Sequence, residues 1–469
     1  MSAFKTTFCF KDIFLILIFM SIFFIALNYH SSILHQLTSF SFAIVTATKN
    51  SPTTVNHLVF SIASSSKTFS KRKEFLHLWY KPNFTKTYVF LDHFSSEIFN
   101  SPKNIDLPSI LIYDDMSRFP YTHRAGARYA LGLTYMIKQV VARNDPNVRW
   151  YIFGDDDTVF FVDNLVKMLE KYDHNEWYYI GSNSESYVQN DYFSFDMAFG
   201  GGGYAISRPL ARVLARVLDS CLMRYPSLYG SDARIFSCLA ELGVSLTHEP
   251  GFHQDDLWGN LFGLLSSHPL SPLLSLHHIE GVQSVFPNMT KIRALQHFFK
   301  AANTDPARIS QQTICYDRKN SLSVAVAWGY AIQVYEGNVK VPELITVLRS
   351  FDSWDKDKKR PYFMFRTKVE SRGPCKKMVA FLKSVDSNGD KVWSNYTRHR
   401  VVGKTCTKDG NKVIKNLEEI RVFSTKLDSE TRQVRAPRRQ CCDISLSSEK
   451  SMDIQIRPCG IDELITMSP

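Results

Sequence analysis

The stretch that decides the fold is Arg149-Trp150-Tyr151-Ile152-Phe153-Gly154-Asp155-Asp156-Asp157-Thr158, in which an apolar run ends in three consecutive carboxylates. Apolar residues resume directly afterwards, at positions 159–161. A short apolar run bounded by a glycine is typical of a buried strand in an α/β sheet. Because ligands of open α/β sheets bind beyond the carboxyl ends of the strands, the pattern predicts that the aspartates line a ligand site.

Asp155 and Asp157 are two positions apart, and on an extended chain their side chains point the same way. Two carboxylates that face one ligand form a hard oxygen site suited to Mg²⁺ or Mn²⁺, with coordination positions left for the phosphates of a substrate. The alternative interpretation is a solvated acidic turn in front of a helix, which the three aspartates alone do not exclude.

Strand and helix patterns alternate along the chain on both sides of this stretch. Strands are predicted at residues 55–63, 87–91 and 110–113, and helices at residues 67–80 and 124–143. A further helix is predicted after the aspartates, with Asp163 as its N-cap. Alternating strands and helices indicate βαβ units, so the sequence predicts an α/β fold with a mostly parallel sheet.

The N-terminus contains the clearest targeting signal. Residues 13–27 are apolar throughout and follow Lys5 and Lys11, and no Lys or Arg comes after them before Lys49. We predict a cytosolic tail (1–12), a transmembrane signal anchor (13–32) and a stem (33–54), with everything beyond on the lumenal side. A cleaved signal peptide is the alternative, but no small-x-small cleavage pattern directly follows the run.

The cysteines agree with a lumenal body. Eight of the nine lie beyond the predicted anchor, and none of them forms a CxxC pair, which argues against zinc ribbons and thioredoxin-type sites. In an oxidising compartment such cysteines are expected to form disulfides, but the sequence does not determine their pairing.

Three later segments contain residue types that could complete a metal or catalytic site. Residues 200–203 are consecutive glycines, which let the backbone approach a bulky ligand or form a tight turn between strands. Asp232 precedes a predicted helix at 233–242, either as its N-cap or as a functional carboxylate. His277 and His278 follow an apolar run, where an imidazole could complete a metal site begun by the aspartates or could be purely structural.

The composition narrows the classes of function. With 44% hydrophobic residues the chain can build hydrophobic cores and is not typical of a disordered protein. The formal net charge of +11 favours an anionic partner, such as a nucleotide-sugar, a phospholipid surface or an acidic polysaccharide, or else a basic soluble surface. The sequence has no zinc-finger or basic-helix pattern, so nucleic-acid binding is not predicted.

Taken in order, these segments resemble the Fringe-like inverting glycosyltransferases of family 31, and most closely their plant Fringe-related branch. The matching pieces are the N-terminal anchor and residues 150–158, 177–182, 200–207, 229–243, 251–258 and 274–280. Trp328-Gly329-Tyr330 and Arg360-Pro361-Tyr362-Phe363 are similar to the C-terminal extension of that branch. We therefore expect a glycosyltransferase domain at residues 55–300 and a smaller, β-rich, Cys-containing extension at residues 301–469.

The resemblance implies a GT-A fold, a Rossmann-like mixed sheet flanked by helices, that binds Mn²⁺ or Mg²⁺ together with a UDP-sugar donor. It implies that Asp157 ligates the cation, while Asp155 and Asp156 contact the ribose or metal-bound water. His278 is the expected second protein ligand of the cation, and His277 is the fallback.

The resemblance also implies a catalytic base at Asp232, which would take the proton from the acceptor hydroxyl. Ser231 stands where the family often has a second carboxylate, so Asp255 and Asp256 are alternative candidates for the base.

The expected reaction transfers a hexose or N-acetylhexosamine from the UDP-sugar to a hydroxyl of a glycan or glycoprotein, with inversion and in a β-1,3 linkage. Gly201 and Gly202 would lie against the donor sugar or the acceptor. The resemblance further implies a single-pass type II protein of the Golgi membrane. Two rival interpretations are an inactive lumenal glycan-binding protein of the same fold and a metal-dependent phosphoesterase that uses the same aspartates.

Overall fold

The computed structural model describes residues 51–99, 106–120, 127–354, 362–373, 375–400, 411–427 and 435–467. The predicted cytosolic tail, the anchor and nearly all of the stem lie outside these residues. No helix within the described ranges is long and apolar enough to span a bilayer. The described chain from Thr53 onward belongs to one compact unit, Thr53–Pro469.

The chain first alternates between strands and helices as the sequence predicted. The strands are β1 (Leu58–Ala63), β2 (Lys86–Leu91), β3 (Ser109–Ile112), β4 (Trp150–Asp155), β5 (Val159–Phe160), β6 (Tyr179–Gly181), β7 (Tyr204–Ser207), β8 (Leu246–His248), β9 (Leu257–Gly259) and β10 (Ser275–Leu276). The helices are α1 (Phe69–Leu76), α2 (Ser96–Phe99), α3 (Ala127–Ala142), α4 (Val162–Leu169), α5 (Tyr187–Tyr192), α6 (Arg208–Arg224), α7 (Ser231–Glu241), α8 (Phe262–Ser266) and α9 (Lys291–Thr304).

Seven of these strands form a mixed sheet in the order β3-β2-β1-β4-β7-β6-β8. β3, β2, β1 and β4 are parallel, whereas β7 runs antiparallel to both of its neighbours. β7 reverses direction because the glycine run delivers it from the carboxyl end of β4, where Tyr204 pairs with Phe153. The α/β class and the mostly parallel sheet are confirmed, because six of the seven strands run in the same direction. The reversed β7 makes it the mixed sheet that the resemblance implies.

The strand that ends in the aspartates lies in the middle of this sheet. Every residue of β1 is buried, and in β4 only Asp155 is partly exposed. The two strands pair in parallel from Leu58 opposite Trp150 to Ala63 opposite Asp155. Continuous burial explains why β4 is an unbroken apolar run, since strands covered on both faces have no polar face.

The prediction that Asp163 caps the following helix was wrong. α4 begins at Val162 with Phe161 at the N-cap, so Asp163 lies in the first turn of the helix. There its charge still complements the positive end of the helix dipole, which explains why an acidic residue occurs near this position.

The rest of the chain is rich in strands. They are β11 (Gln312–Asp317), β12 (Leu322–Ala327), β13 (Ala331–Glu336), β14 (Val347–Leu348), β15 (Phe351–Ser353), β16 (Thr367–Lys368), β17 (Lys377–Asn388), β18 (Lys391–Arg398), β19 (Glu419–Thr425), β20 (Cys441–Ser448) and β21 (Ser451–Arg457), with short helices α10 (Val341–Leu344) and α11 (Lys412–Asn416). Eight of them form a second sheet in the order β11-β12-β13-β17-β18-β19-β21-β20. The edge strands β11 and β20 also contact each other, so the sheet curls towards closure.

The two sheets are not independent bodies. β15 pairs antiparallel with β9, so a strand from the second half extends the loop region of the first. One hydrophobic core contains buried residues of both halves, from Phe60 and Trp150 to Trp328 and Ile454. The C-terminal half therefore packs directly against the first half through this shared core.

Three disulfides occur among the described cysteines: Cys221–Cys238, Cys315–Cys442 and Cys441–Cys459. Cys375 is a free thiol, and Cys406 lies outside the described residues. The expectation of disulfides is thereby confirmed. Cys315–Cys442 joins the two edge strands of the second sheet, β11 and β20, where they contact each other. The two cysteines are 127 residues apart in the sequence.

Removing the long-range disulfide should cost more stability than removing a short one. Loop-closure entropy predicts about 5 kcal/mol for the double variant Cys315→Ala/Cys442→Ala and about 3 kcal/mol for Cys221→Ala/Cys238→Ala. Denaturant unfolding of both variants beside the wild type measures the difference. Equal losses, or a larger loss for the short loop, would contradict the role of Cys315–Cys442 in holding the sheet edges together.

Candidate active site

The aspartate turn is tied to the glycine run by one hydroxyl. Thr158 Oγ1 accepts a hydrogen bond from the backbone N–H of Asp155 at 2.7 Å and donates one to the carbonyl of Gly201, also at 2.7 Å. Thr158 is fully buried. These two hydrogen bonds therefore hold the tight turn after β4 against the glycine run before β7. Thr158 and Gly201 are 43 residues apart in the sequence.

Asp155, Asp157 and His277 form a compact cluster at the end of β4. His277 Nε2 lies 3.2 Å from Asp157 Oδ1 and 3.6 Å from Asp155 Oδ2. Asp157 Oδ1 is buried and makes no hydrogen bond of normal geometry to any described residue. One imidazole nitrogen and two carboxylates within 4.8 Å of one another are a donor set that can hold a divalent cation.

The tautomer of His277 fits this role. Its Nδ1 lies 3.2 Å from the carbonyl oxygen of Gln254, and because a carbonyl can only accept, Nδ1 must carry the hydrogen. In the neutral ring Nε2 then presents its lone pair to the two carboxylates. A carbonyl that fixes the far nitrogen of a histidine is the usual support for a metal-binding imidazole.

Titration at this cluster is strongly perturbed. Burial raises the pKa of Asp155 to about 7, although its side chain remains 38% exposed at the mouth of the cleft. Burial also lowers the pKa of His277, but the carboxylates of Asp157 and Asp155 outweigh it and raise this pKa to about 9. Burial likewise acts to raise the pKa of Asp157, yet His277 and Arg72 hold it well below the usual range. The charges of Asp155, Asp157 and His277 therefore depend on one another.

Arg72 is a site residue that the sequence analysis missed. From α1 its guanidinium reaches Asp156 Oδ1 at 3.1 Å, Asp157 Oδ2 at 3.5 Å and Glu280 Oε2 at 2.8 Å. It lies in a basic stretch of an exposed helix, and nothing in the local pattern distinguishes it from its neighbours. Only the packing of α1 beside β4 brings it to the aspartates.

Asp156 faces away from the cluster formed by its two neighbours. Its Oδ2 accepts a hydrogen bond from the hydroxyl of Ser64 at 2.6 Å, and its Oδ1 is held by Arg72. Ser64 directly follows β1, which pairs with β4. In the structure Asp156 therefore anchors the aspartate turn to the adjacent strand and to α1.

The two neighbouring histidines contact different carboxylates. His277, the fallback of the sequence analysis, is the one beside Asp157 and Asp155. His278, the preferred candidate, lies with its Nδ1 3.3 Å from Asp256 Oδ1 and its ring stacked on Trp354. His278 has a left-handed backbone conformation (φ 51°), and its ring centroid lies 3.9 Å from that of His277. The two rings are therefore neighbours that contact different carboxylates.

The glycine run lies against both Asp232 and His277. A Cβ at Gly200 would be 2.5 Å from Asp232 Oδ1, and a Cβ at Gly201 would be 2.2 Å from His277 Cε1. Gly202 donates its backbone N–H to Gln254 Oε1 at 2.7 Å. The run is therefore the surface on which Asp232 and His277 are brought close, and side chains there would push them apart.

Asp232 is not the N-cap of its helix, so the capping interpretation was wrong. The N-cap of α7 is Gly230, whose φ of 84° favours glycine, and Asp232 lies in the first turn. Its Oδ1 accepts a hydrogen bond from the Ser231 hydroxyl at 3.0 Å. Burial raises the pKa of Asp232 above its usual value. The Asp232 carboxylate therefore does not cap the helix, and it points at the glycine run instead.

Of the two alternative candidates for the base, Asp256 has a hydrogen-bonded carboxylate, whereas Asp255 is buried away from solvent. Asp256 accepts a hydrogen bond from Ser184 at 2.6 Å and lies against His278. Asp255 is fully buried, and its backbone N–H donates to Glu185 Oε2 at 2.7 Å. Both belong to the layer of residues behind His277.

The chain is similar to a protein family and to two named enzymes. Residues 189–442 match the family described as "Protein of unknown function, DUF604", a span that includes the glycine run, Asp232 and His277 and begins after the three aspartates. Over 124 residues the chain is 30% identical to proteins named "Beta-1,3-glucosyltransferase" from Homo sapiens and Mus musculus. Each alignment covers 26% of this chain and 24% of the relative, so the chain spans about a quarter of the length of these relatives.

Among solved structures, the chain matches that of the glycosyltransferase GlyE from Streptococcus pneumoniae TIGR4. The similarity has a TM-score of 0.31 and a sequence identity of 15%, and it covers 52% of this chain and 60% of that one. A likeness this distant does not transfer residue roles or activity.

The closeness of the glycine run to His277 makes a sharp prediction. Gly201→Ala would place a methyl group inside the His277 ring, so the ring must move and the cluster with Asp157 should loosen. We expect at least a tenfold weaker Mn²⁺ affinity by calorimetry. Gly373→Ala, at a glycine with no atom within 4 Å of the added methyl group, is the matched control and should leave the affinity unchanged. Wild-type affinity in Gly201→Ala would contradict the arrangement.

Proposed function

The chain belongs to the family described as "Protein of unknown function, DUF604", and from the site described above we propose that it is a metal-dependent inverting glycosyltransferase. It would transfer a hexose or N-acetylhexosamine from a UDP-sugar to a hydroxyl of a glycan or glycoprotein. The observation that carries this proposal is the convergence of Asp155, Asp157 and His277 on one side of the glycine run and Asp232 on the other.

The linkage and the finer family assignment belong to the same proposal. Similarity to proteins named β-1,3-glucosyltransferase supports a β-1,3 linkage, although the match covers only a quarter of each relative. A GT-A fold of the Fringe-like type is supported by the mixed sheet, with the aspartates at the carboxyl end of β4. We further propose that the protein is a single-pass type II protein of the Golgi membrane, on the N-terminal sequence pattern alone.

The residues fit a resident Mn²⁺ or Mg²⁺. Asp157 and His277 would hold the cation, with Asp155 as a third donor or a contact to metal-bound water. Such an ion stabilises the negative charge that develops on a departing diphosphate. Without it the cleft holds several carboxylates whose repulsion the side chains of Arg72 and His277 offset only in part.

Asp232 is suited to remove the proton from the acceptor hydroxyl. A hydroxyl is a weak nucleophile at neutral pH, and a positioned base contributes roughly 10²–10⁴-fold to such a reaction. Burial raises the pKa of Asp232 and so strengthens it as a base, while the Ser231 hydroxyl orients the carboxylate. Direct attack of the activated oxygen at the anomeric carbon inverts its configuration in one displacement.

Substitutions at the two sides of the glycine run should have separable effects. Asp157→Asn should abolish Mn²⁺-dependent cleavage of UDP-sugars, because it removes a proposed metal ligand. Asp232→Asn should keep Mn²⁺ and UDP affinity but lower transfer to an acceptor by about 10²–10⁴-fold. UDP release from a panel of UDP-sugars, with and without acceptor, measures both.

The control for this pair is Asp453→Asn, a carboxylate of the second sheet that is paired with Arg421. It should keep full activity. If the wild type cleaves no UDP-sugar and Asp232→Asn changes nothing, the protein is instead a glycan-binding protein of the same fold. Release of inorganic phosphate without sugar transfer would favour a phosphoesterase.

The pH profile provides an independent check on the base. Asp232 acts only when deprotonated, and its pKa is raised by burial, so turnover should fall on the acidic side at a higher pH than an ordinary aspartate would give. The measurement is kcat at saturating donor and Mn²⁺ from mildly acidic to neutral pH. Mn²⁺ binding followed over the same range separates loss of the base from loss of the metal. An acidic limb that simply tracks Mn²⁺ occupancy would contradict Asp232 as the base.

A further inference from the structure

A second cluster of ionisable residues is buried behind the active site. It contains Glu185, His253, Asp255 and His268, all of which are less than 10% exposed. Glu185 precedes α5, and His253 and Asp255 lie in the loop before β9, so the cluster joins two segments that are distant in sequence. None of these residues belongs to the cluster of Asp155, Asp157 and His277, which we call the donor site because it would bind the UDP-sugar donor.

The hydrogen bonds of the two histidines fix their protons. His268 Nδ1 lies 2.9 Å from the carbonyl of Pro269, which can only accept, so Nδ1 carries the hydrogen. In neutral His268, Nε2 is then an acceptor, and it must receive the Nε2–H of His253 at 2.8 Å. Neutral His253 is left with a lone pair on Nδ1, and this atom faces Glu185 Oε1 at 2.9 Å. Two acceptors cannot face each other at this distance unless a proton or a metal ion lies between them.

Asp255 adds a second buried carboxyl group to this cluster. It is 0% exposed, and neither carboxylate oxygen makes a hydrogen bond of normal geometry to any described residue. Only its backbone N–H is engaged, by Glu185 Oε2 at 2.7 Å. A buried carboxylate without a partner is strongly unfavourable, so Asp255 either carries a proton or has a cation as its partner.

A proton alone does not balance this cluster. If His253 is protonated, its Nδ1–H can donate to Glu185, but Asp255 still has no partner. A second proton on Asp255 would remove its charge, yet both of its oxygens would remain without a hydrogen-bond partner among the described residues. A divalent cation balances both carboxylates while His253 stays neutral. Glu185, His253 and Asp255 each offer one ligand atom, all within 4.8 Å of one another, which is the spacing that a shared ion requires.

We propose that Glu185, His253 and Asp255 bind a second, structural divalent cation of the Mn²⁺ or Zn²⁺ class. Mixed imidazole and carboxylate ligands suit these ions better than Ca²⁺. A cavity of about 560 Å³, whose wall includes Glu185, His253 and His268, gives the ion a route from solvent. This inference does not rest on the proposed glycosyltransferase activity.

The ion would support the active site through the loop that it closes. Gln254 lies between two of the ligands; its side chain receives the Gly202 N–H, and its carbonyl oxygen fixes Nδ1 of His277. Holding His253 and Asp255 against Glu185 therefore also holds the group that orients His277. The second cation positions the active site and does not itself touch substrate.

Metal stoichiometry tests the proposal directly. The full-length chain is stripped with a chelator and equilibrated by dialysis against Mn²⁺ in one arm and Zn²⁺ in the other, and bound metal is counted by mass spectrometry. We expect two sites in the wild type and one each in Asp255→Asn and in Asp157→Asn. Wild-type metal content in Asp255→Asn overturns the second site. A single site lost only in Asp255→Asn upholds it and overturns the proposed donor-site metal instead.

Thermal unfolding in the Asp157→Asn background supplies a second readout, without a contribution from the donor site. Added metal should raise the unfolding midpoint, and adding Asp255→Asn or Glu185→Gln should remove this increase. The matched control is Asp305→Asn, a buried aspartate that is paired with Arg308 at 2.9 Å. It should lower the midpoint with and without metal but retain the increase. If Asp255→Asn raises the midpoint equally in both conditions, Asp255 is an unpaired carboxylate that binds no ion, and the proposal fails.

Discussion

The close approach of a bare backbone to two functional side chains is the constraint on which the candidate site depends. At Gly200 and Gly201 a side chain would overlap Asp232 and His277, respectively. The same backbone accepts the Thr158 hydroxyl, which fixes the aspartate turn. Glycine is needed here for space, since the run must pass between a strand end, a helix start and a histidine without separating them.

Charge is the second organising factor. Three consecutive carboxylates at a strand end would repel one another in a cleft that excludes water. The structure separates them: Asp156 turns to Ser64 and Arg72, whereas Asp155 and Asp157 face His277. This division leaves Asp155 and Asp157 as one carboxylate pair beside His277.

The C-terminal half of the chain contributes to the site through packing. β15 pairs with β9, and the indole of Trp354 that follows it stacks between Trp258 and His278, with ring centroids 4.3 Å and 4.5 Å away. The Trp258 indole N–H in turn donates to the Trp354 carbonyl at 2.9 Å. Trp354 of the C-terminal half therefore supports the segment that contains His278. The two halves also share one hydrophobic core.

The sequence by itself determined those features that depend on local pattern. The buried strand ending at Asp155, the glycine run before β7 and most helix positions follow from apolar spacing and from residue types within a few positions. The local signal was weaker at helix starts, where Asp163 and Asp232 looked like caps and the chain used Phe161 and Gly230 instead.

Only the tertiary structure decided which distant residues meet. The choice of His277 over His278, the arrival of Arg72 from α1, the support from Gln254 and the pairing of Cys315 with Cys442 have no local signature. Each depends on how the sheets, helices and loops pack, and packing is set by contacts between segments tens to hundreds of residues apart. A short-range pattern records which residue types are present, whereas long-range burial selects those that share a site.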